Sequence, residues 1–126
     1  MGEVVMPKTT KSSCVLVLDG ELESTLAIVR SLGKKGVTVH VGSSCEGPLS
    51  AFSRYCARFM RYPDPAQNRE GFQSTILEWL ARGGYALIVP VSDLTICPLM
   101  PIRDELEHWC CTAMASNHSL AVAQSK

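Results

Sequence analysis

Ala86-Leu87-Ile88-Val89-Pro90-Val91 is apolar at every position and runs directly into Ser92-Asp93. A strand with one wet face alternates apolar and polar residues, whereas this stretch leaves no polar face. It therefore reads as a central strand of a parallel sheet, covered by helices on both sides. On either side of it, strand-like and helix-like segments alternate along the chain. Val15 to Leu18 is a short aliphatic run that ends on Asp19-Gly20, a turn signal. Leu22, Leu26, Val29 and Leu32 then recur at helical spacing, which predicts a helix over Glu21–Leu32 with Glu21 and Glu23 in its first turn. Gly33 and Gly36 bracket Lys34-Lys35 and close it.

The next strand is expected at Val37–Val41, with Val37, Val39 and Val41 on one face and Thr38 and His40 on the other. His40, among valines, reads as a hydrogen-bonded, half-buried histidine rather than a catalytic one. A short helix is expected at Leu49–Tyr55, a third strand at Arg58–Tyr62, and a turn at Pro63-Asp64-Pro65. Phe72, Ile76, Trp79 and Leu80 predict a helix over Arg69–Arg82 that Gly83-Gly84 stops. After the apolar strand, Ser92-Asp93 can cap a helix, which Pro98 and Pro101 must kink or divide before it continues through Arg103–Trp109. A fifth strand is expected at Thr112–Ala115. A last helix, capped by Ser116 or Asn117, carries Leu120, Ala121 and Ala123. The fold class is therefore α/β: a Rossmann-like three-layer domain with a mainly parallel sheet of about five strands.

Bulk composition agrees with one globular domain. The chain has 126 residues, 46% of them hydrophobic and 19% charged. Met1–Ser13 reads as a flexible polar leader without a secretion-type apolar core, and residues 14–126 as the domain. Twelve basic residues balance twelve acidic ones, so no global field draws in a polyanion and nucleic acid is not the expected partner. No apolar run approaches the roughly 20 residues that span a bilayer, so no membrane partner is expected and the expected location is cytoplasmic. The six cysteines include no C-x-x-C pair and read as small apolar residues in a reducing compartment; no metal site is expected.

Ligands of open α/β sheets sit at the carboxyl ends of the strands. The first such turn, Asp19-Gly20-Glu21-Leu22-Glu23, holds one glycine and three acids, which opposes a dinucleotide pyrophosphate. There is no P-loop, no G-x-S-x-G elbow and no Ser/His/Asp set, so no catalytic residue is assigned. His108 and His118 are expected to face solvent. The candidates for substrate binding are Asp19 and Gly20 in the first turn, Ser92 and Asp93 after the apolar strand, and Arg54. Asp93 either hydrogen-bonds an amine or polar substrate or caps the helix. Arg54 either pairs with a carboxylate or joins Arg58 and Arg61 in a solvated basic edge.

The order of short motifs resembles one family. Val15-Leu-Val-Leu-Asp-Gly is followed by an amphipathic helix ending Arg30-Ser-Leu-Gly. Then come Val37-Thr-Val-His-Val, Ser53-Arg-Tyr, Arg61-Tyr-Pro-Asp-Pro, Val89-Pro-Val-Ser-Asp, Arg103-Asp-Glu-Leu and Ala121-Val-Ala-Gln-Ser-Lys. This succession, from about Cys14 to Lys126, resembles the N-terminal, pre-ATP-grasp domain of ATP-grasp ligases, especially the carbamoyl-phosphate-synthase-like carboxylate–amine ligases. The resemblance implies a substrate-side domain, not catalytic in isolation, that packs against ATP-grasp domains missing from this chain. Those domains hold ATP and magnesium, activate a carboxylate as an acyl phosphate, and let an amine or another nucleophile displace phosphate. Lys126 matches in position a lysine that reaches nucleotide phosphates in that family, while Ser125 stands where the family has Asp. The alternative expectation is a stand-alone, non-catalytic module that binds a small molecule or another subunit. Such a module would form a homodimer through Leu94, Ile96, Leu99, Met100 and Ile102.

Overall fold

A computed structural model of the chain describes residues 14–47 and 53–113. Five strands, β1 (Cys14–Val17), β2 (Thr38–Ser43), β3 (Cys56–Arg61), β4 (Leu87–Val89) and β5 (Cys111–Thr112), form one sheet in the order β3-β2-β1-β4-β5. Every pairing is parallel. The helices are α1 (Glu23–Lys34), α2 (Arg69–Gly83), α3 (Asp93–Leu99) and α4 (Arg103–Glu107), with a 3-10 turn at Met100–Ile102 between the last two. The expected α/β class and strand number hold, with the sheet entirely parallel.

Strand alternation sorts the core into two layers. Val15, Val17, Val39, Val41 and Val89 point to one face and pack with Val29 of α1. Leu16, Leu18 and Ile88 point to the other and meet Phe72, Ile76 and Leu80 of α2, Ile96 and Leu99 of α3, and Leu106 of α4. Each of these larger side chains, fully removed from water, contributes about 1.5–3 kcal/mol. β2 pairs with β3 across a register shift between Val39 and His40, which leaves Ala57 without an opposite number.

Helix ends follow local chemistry. Asn68 caps α2 by accepting the Gly71 N–H at 2.9 Å, and Gly84 closes the helix in the left-handed region at φ 63°. Pro98 lies inside α3 and Pro101 inside the 3-10 turn, so two amide donors three residues apart are missing and the helix breaks into pieces, as their spacing predicts. Gln73 of α2 donates to the Pro98 carbonyl at 2.6 Å and ties the interrupted segment to its neighbour.

Several boundaries differ from expectation. α1 begins two residues late, so Glu21 lies outside its first turn and only Glu23 complements the dipole. β3 begins at Cys56, ahead of Arg58, because backbone pairing with β2 extends to the solvated start of the strand. Of the helix expected at Leu49–Tyr55, only Ser53–Tyr55 are described, and they form a turn. The strand expected at Thr112–Ala115 is centred earlier, at Cys111–Thr112. The last helix, His118 and Lys126 lie outside the described residues. Ile96 and Leu99 are core residues, so they cannot contribute to an exposed apolar face; Leu94 and Met100 remain exposed.

Gly33 is required by a close approach. A β-carbon there would lie 2.3–2.5 Å from Cδ1, Cγ and Cβ of Tyr55, atoms near the root of that side chain. Gly→Ala in a helix ordinarily stabilises by about 1 kcal/mol. Gly33→Ala is expected to do the opposite here, lowering the thermal midpoint.

His40, on the α2 face, meets the Tyr85 hydroxyl through Nδ1 at 2.6 Å, with the rings edge to face. Burial, and secondarily the Arg58 guanidinium, hold its pKa below the ordinary 6.5. The unfolded chain therefore takes up this proton at higher pH than the folded chain, and acidification favours unfolding. Urea midpoints are expected to fall as pH drops below 6.5, and His40→Gln is expected to flatten that slope.

Candidate functional site at the carboxyl edge of the sheet

Strand order reverses direction between β1 and β4, so the crevice expected to hold a ligand opens where the loops after these strands separate. Asp19 stands at that point. It is fully buried, and its φ of 62° makes it the one non-glycine residue in the left-handed region among the described residues. Aspartate tolerates this conformation better than most residues, and the surrounding bonds enforce it. Its amide donates to the Tyr62 hydroxyl at 3.1 Å, and its carbonyl accepts from the Leu22 amide at 3.0 Å. Thr25 of α1 donates to the neighbouring Leu18 carbonyl at 3.1 Å.

The Asp19 carboxylate crosses the crevice. Oδ2 accepts from the Val91 amide at 2.9 Å, the Ser92 amide at 2.8 Å and the Thr95 hydroxyl at 2.6 Å. Oδ1 accepts from the Ser92 hydroxyl at 2.8 Å. Four donors, three from the β4–α3 connection and one from the first turn of α3, thus converge on one carboxylate. Burial, together with the Asp19 charge, pushes the Tyr62 phenol far above its ordinary pKa and keeps it protonated.

The other candidates take distinct places. Gly20 is buried, its amide donates to the Gly42 carbonyl at 3.0 Å, and a β-carbon there would lie 2.7 Å from Val41 Cγ1. Its role is to let the first loop pack on the end of β2. Ser92 occupies the N-cap position of α3, yet its hydroxyl serves Asp19 rather than the helix. Asp93 is the first residue of α3, exposed, and without a hydrogen-bond or ion-pair partner among the described residues; it does not cap the helix. Glu21 reaches the other side of the crevice, where Oε1 accepts from the Ser43 hydroxyl at 2.7 Å while Ser43 Oγ accepts the Cys45 amide at 3.0 Å. Arg54 is not part of this edge. It lies before β3, at the opposite end of the sheet, where Nη2 donates to the Tyr55 hydroxyl at 3.0 Å.

Sequence reasoning missed Thr25, Ser43, Tyr62 and Thr95 as partners at this edge. Thr95 had a signal in its i+3 spacing from Ser92. Tyr62 had one as the residue that ends a strand pointing at the same edge. The edge joins a rigid, internally satisfied floor to two acidic side chains, Glu21 and Asp93, each one or two residues beyond it. Such a surface suits a cationic or hydroxyl-bearing ligand and opposes phosphate. Among the described residues no cluster of His, Cys, Asp and Glu is arranged to hold a metal, and no helix is long and apolar enough to cross a membrane. No protein-family model, curated protein or solved structure matches the chain.

Replacing Asp19 by alanine strands four donors, the Thr95 hydroxyl fully buried and the other three half-buried. This is expected to cost about 3 kcal/mol or more in urea denaturation. Asp19→Asn should cost less. Its amide oxygen can replace Oδ2 for three donors, its NH2 can donate to the Ser92 hydroxyl once that rotates, and asparagine also tolerates positive φ.

Proposed function

We propose that this chain is the substrate-side domain of an ATP-dependent carboxylate–amine, or related, ligase of the ATP-grasp type, and is not catalytic by itself. The observation that carries the reading is the carboxyl edge at the switch point, where Asp19 joins the loops after β1 and β4 and Glu21 and Asp93 follow within two residues. Glu21 and Asp93 suit an amine-bearing acceptor substrate, which they would orient through charge-assisted hydrogen bonds. Asp19, Gly20 and Ser92 act by holding these loops in place. The ordered motifs from Cys14 to Lys126 support the same reading through their resemblance to pre-ATP-grasp domains. ATP and magnesium belong to further domains of the longer enzyme, where Lys126 would approach the nucleotide phosphates. There the carboxylate is activated as an acyl phosphate, and the acceptor displaces phosphate.

A second reading, a stand-alone subunit-interaction module in the same cytoplasmic setting, draws on three exposed large apolar side chains: Leu94 at 43%, Met100 at 39% and Trp109 at 46% exposure. Sequencing the source transcript through codon 126 separates the two. An open frame encoding a glycine-rich phosphate loop and paired acidic metal ligands is expected. An immediate stop codon sinks the ligase reading. Sedimentation of the chain would then test the second reading, which a clean monomer at high concentration would contradict.

A further inference from the structure

We infer that the groove between the second half of α1 and the turn before β3 binds a small, multiply charged oxyanion of the phosphoryl class. It lies at the amino edge of the sheet, away from the Asp19 crevice, and does not depend on the ligase reading. Arg30, Lys34, Ser53, Arg54 and Tyr55 line an open pocket of about 400 Å³. Three of these five residues are cationic and none is acidic.

The cations are placed at an electrostatic cost. Arg30 and Lys34 stand four residues apart on α1, so they share one helix face as a like-charged pair, which destabilises a helix. The ion pairs among the described residues are Arg82–Glu78 and Arg103–Glu107, and neither relieves this corner. Lys34 in the last turn complements the helix dipole, but Arg30, a full turn earlier, has no such use.

Arg54 is held ready. The Tyr55 ring rests on α1 where Gly33, next to Lys34, lacks a side chain. The Tyr55 hydroxyl accepts from Arg54 Nη2 at 3.0 Å, and the guanidinium carbon lies 5.0 Å from the ring centroid. Only one of the five guanidinium N–H groups is spent in this way, so most of the fork remains available. Ser53 Oγ accepts the Tyr55 amide at 3.1 Å, which leaves its hydroxyl hydrogen free to donate. Fixing the arginine beforehand lowers the entropy that a ligand must overcome. A monocarboxylate would answer only one of three positive charges. A phosphoryl group carries about −1.5 to −2 and three strong acceptor oxygens, and so matches the set better.

The test is calorimetric titration of the full chain with inorganic pyrophosphate and inorganic phosphate, with acetate as a singly charged comparison. Saturable binding of pyrophosphate that weakens with added salt is expected, with acetate not binding. Arg30→Gln and Arg54→Gln are each expected to weaken pyrophosphate binding about tenfold or more. In the absence of anion, Arg30→Gln is expected to leave the thermal midpoint unchanged or raised, because it removes a repulsion; the loss of binding is then not a loss of fold. The proposal is overturned if pyrophosphate shows no saturable binding, or if the double variant Arg30→Gln/Arg54→Gln binds it as tightly as the parent. A marked drop in the midpoint of Arg30→Gln alone would likewise overturn it, since that cation would then serve the fold.

Discussion

The carboxylate of Asp19 is the constraint on which the carboxyl edge depends. A parallel sheet has no hairpins to hold its loops, and each crossover is free to splay at the point where the strand order reverses. Here β1 and β4 are adjacent strands whose following loops lead to helices on opposite faces. Nothing in the sheet ladder itself joins those loops. One buried carboxylate does so, by accepting four hydrogen bonds from Val91, Ser92 and Thr95. The left-handed backbone of Asp19 aims the side chain across the gap, and the Tyr62 hydroxyl and Leu22 amide hold that conformation in turn. Burying a charge is tolerable only when its lone pairs are filled, and this geometry fills them.

The same junction explains why the helix after β4 is irregular without being loose. Ser92 gives its hydroxyl to Asp19 instead of capping α3, and Thr95 binds both Asp19 and the Ser92 carbonyl. Pro98 then removes a helical donor and Pro101 another, while Gln73 anchors the Pro98 carbonyl to α2. The segment is thus tied at its start by a carboxylate and in its middle by an amide. Ile96 lies between these two ties and Leu99 just after the second, and both face the core.

The sheet was legible because its signals are local and redundant. Continuous apolarity at Ala86–Val91 marks a strand covered on both sides, and the alternation of Val37, Val39 and Val41 marks which side chains share the α1 face. The helix break at Pro98 and Pro101 follows from the missing amides alone. The first loop was legible as a place but not in its wiring. Asp19, Gly20, Ser92 and Asp93 could be put at the carboxyl edge, but the division of roles among them depends on contacts spanning 73 to 76 positions. No periodicity reports such contacts. Cap propensity is a local property and marks Ser92 as a helix cap, whereas a buried carboxylate nearby outcompetes the helix for its hydroxyl. Closeness in sequence groups Arg54 with Arg58 and Arg61 as one of its two expected settings. The strand between them carries Arg61 to the carboxyl edge, where it donates to the Ser44 carbonyl, and leaves Arg54 at the other end.

A formal charge of zero conceals this sorting. Glu21 and Asp93 flank the carboxyl-edge crevice, while Arg30, Lys34 and Arg54 gather at the α1–β3 corner. A third corner, at α4, is acidic again with Asp104, Glu105 and Glu107, of which Glu107 is paired with Arg103. Over the roughly 10 Å across which exposed charges interact at moderate salt, a ligand senses one corner and not the sum. Composition therefore argues against a polyanion wrapping the whole surface, yet it says nothing about a small anion meeting three cations at once. Dispersing those cations among the acids would have been the electrostatically easier arrangement for a domain of balanced charge. Their concentration beside Tyr55, which packs on Gly33 of α1, is the feature that the proposed anion site accounts for.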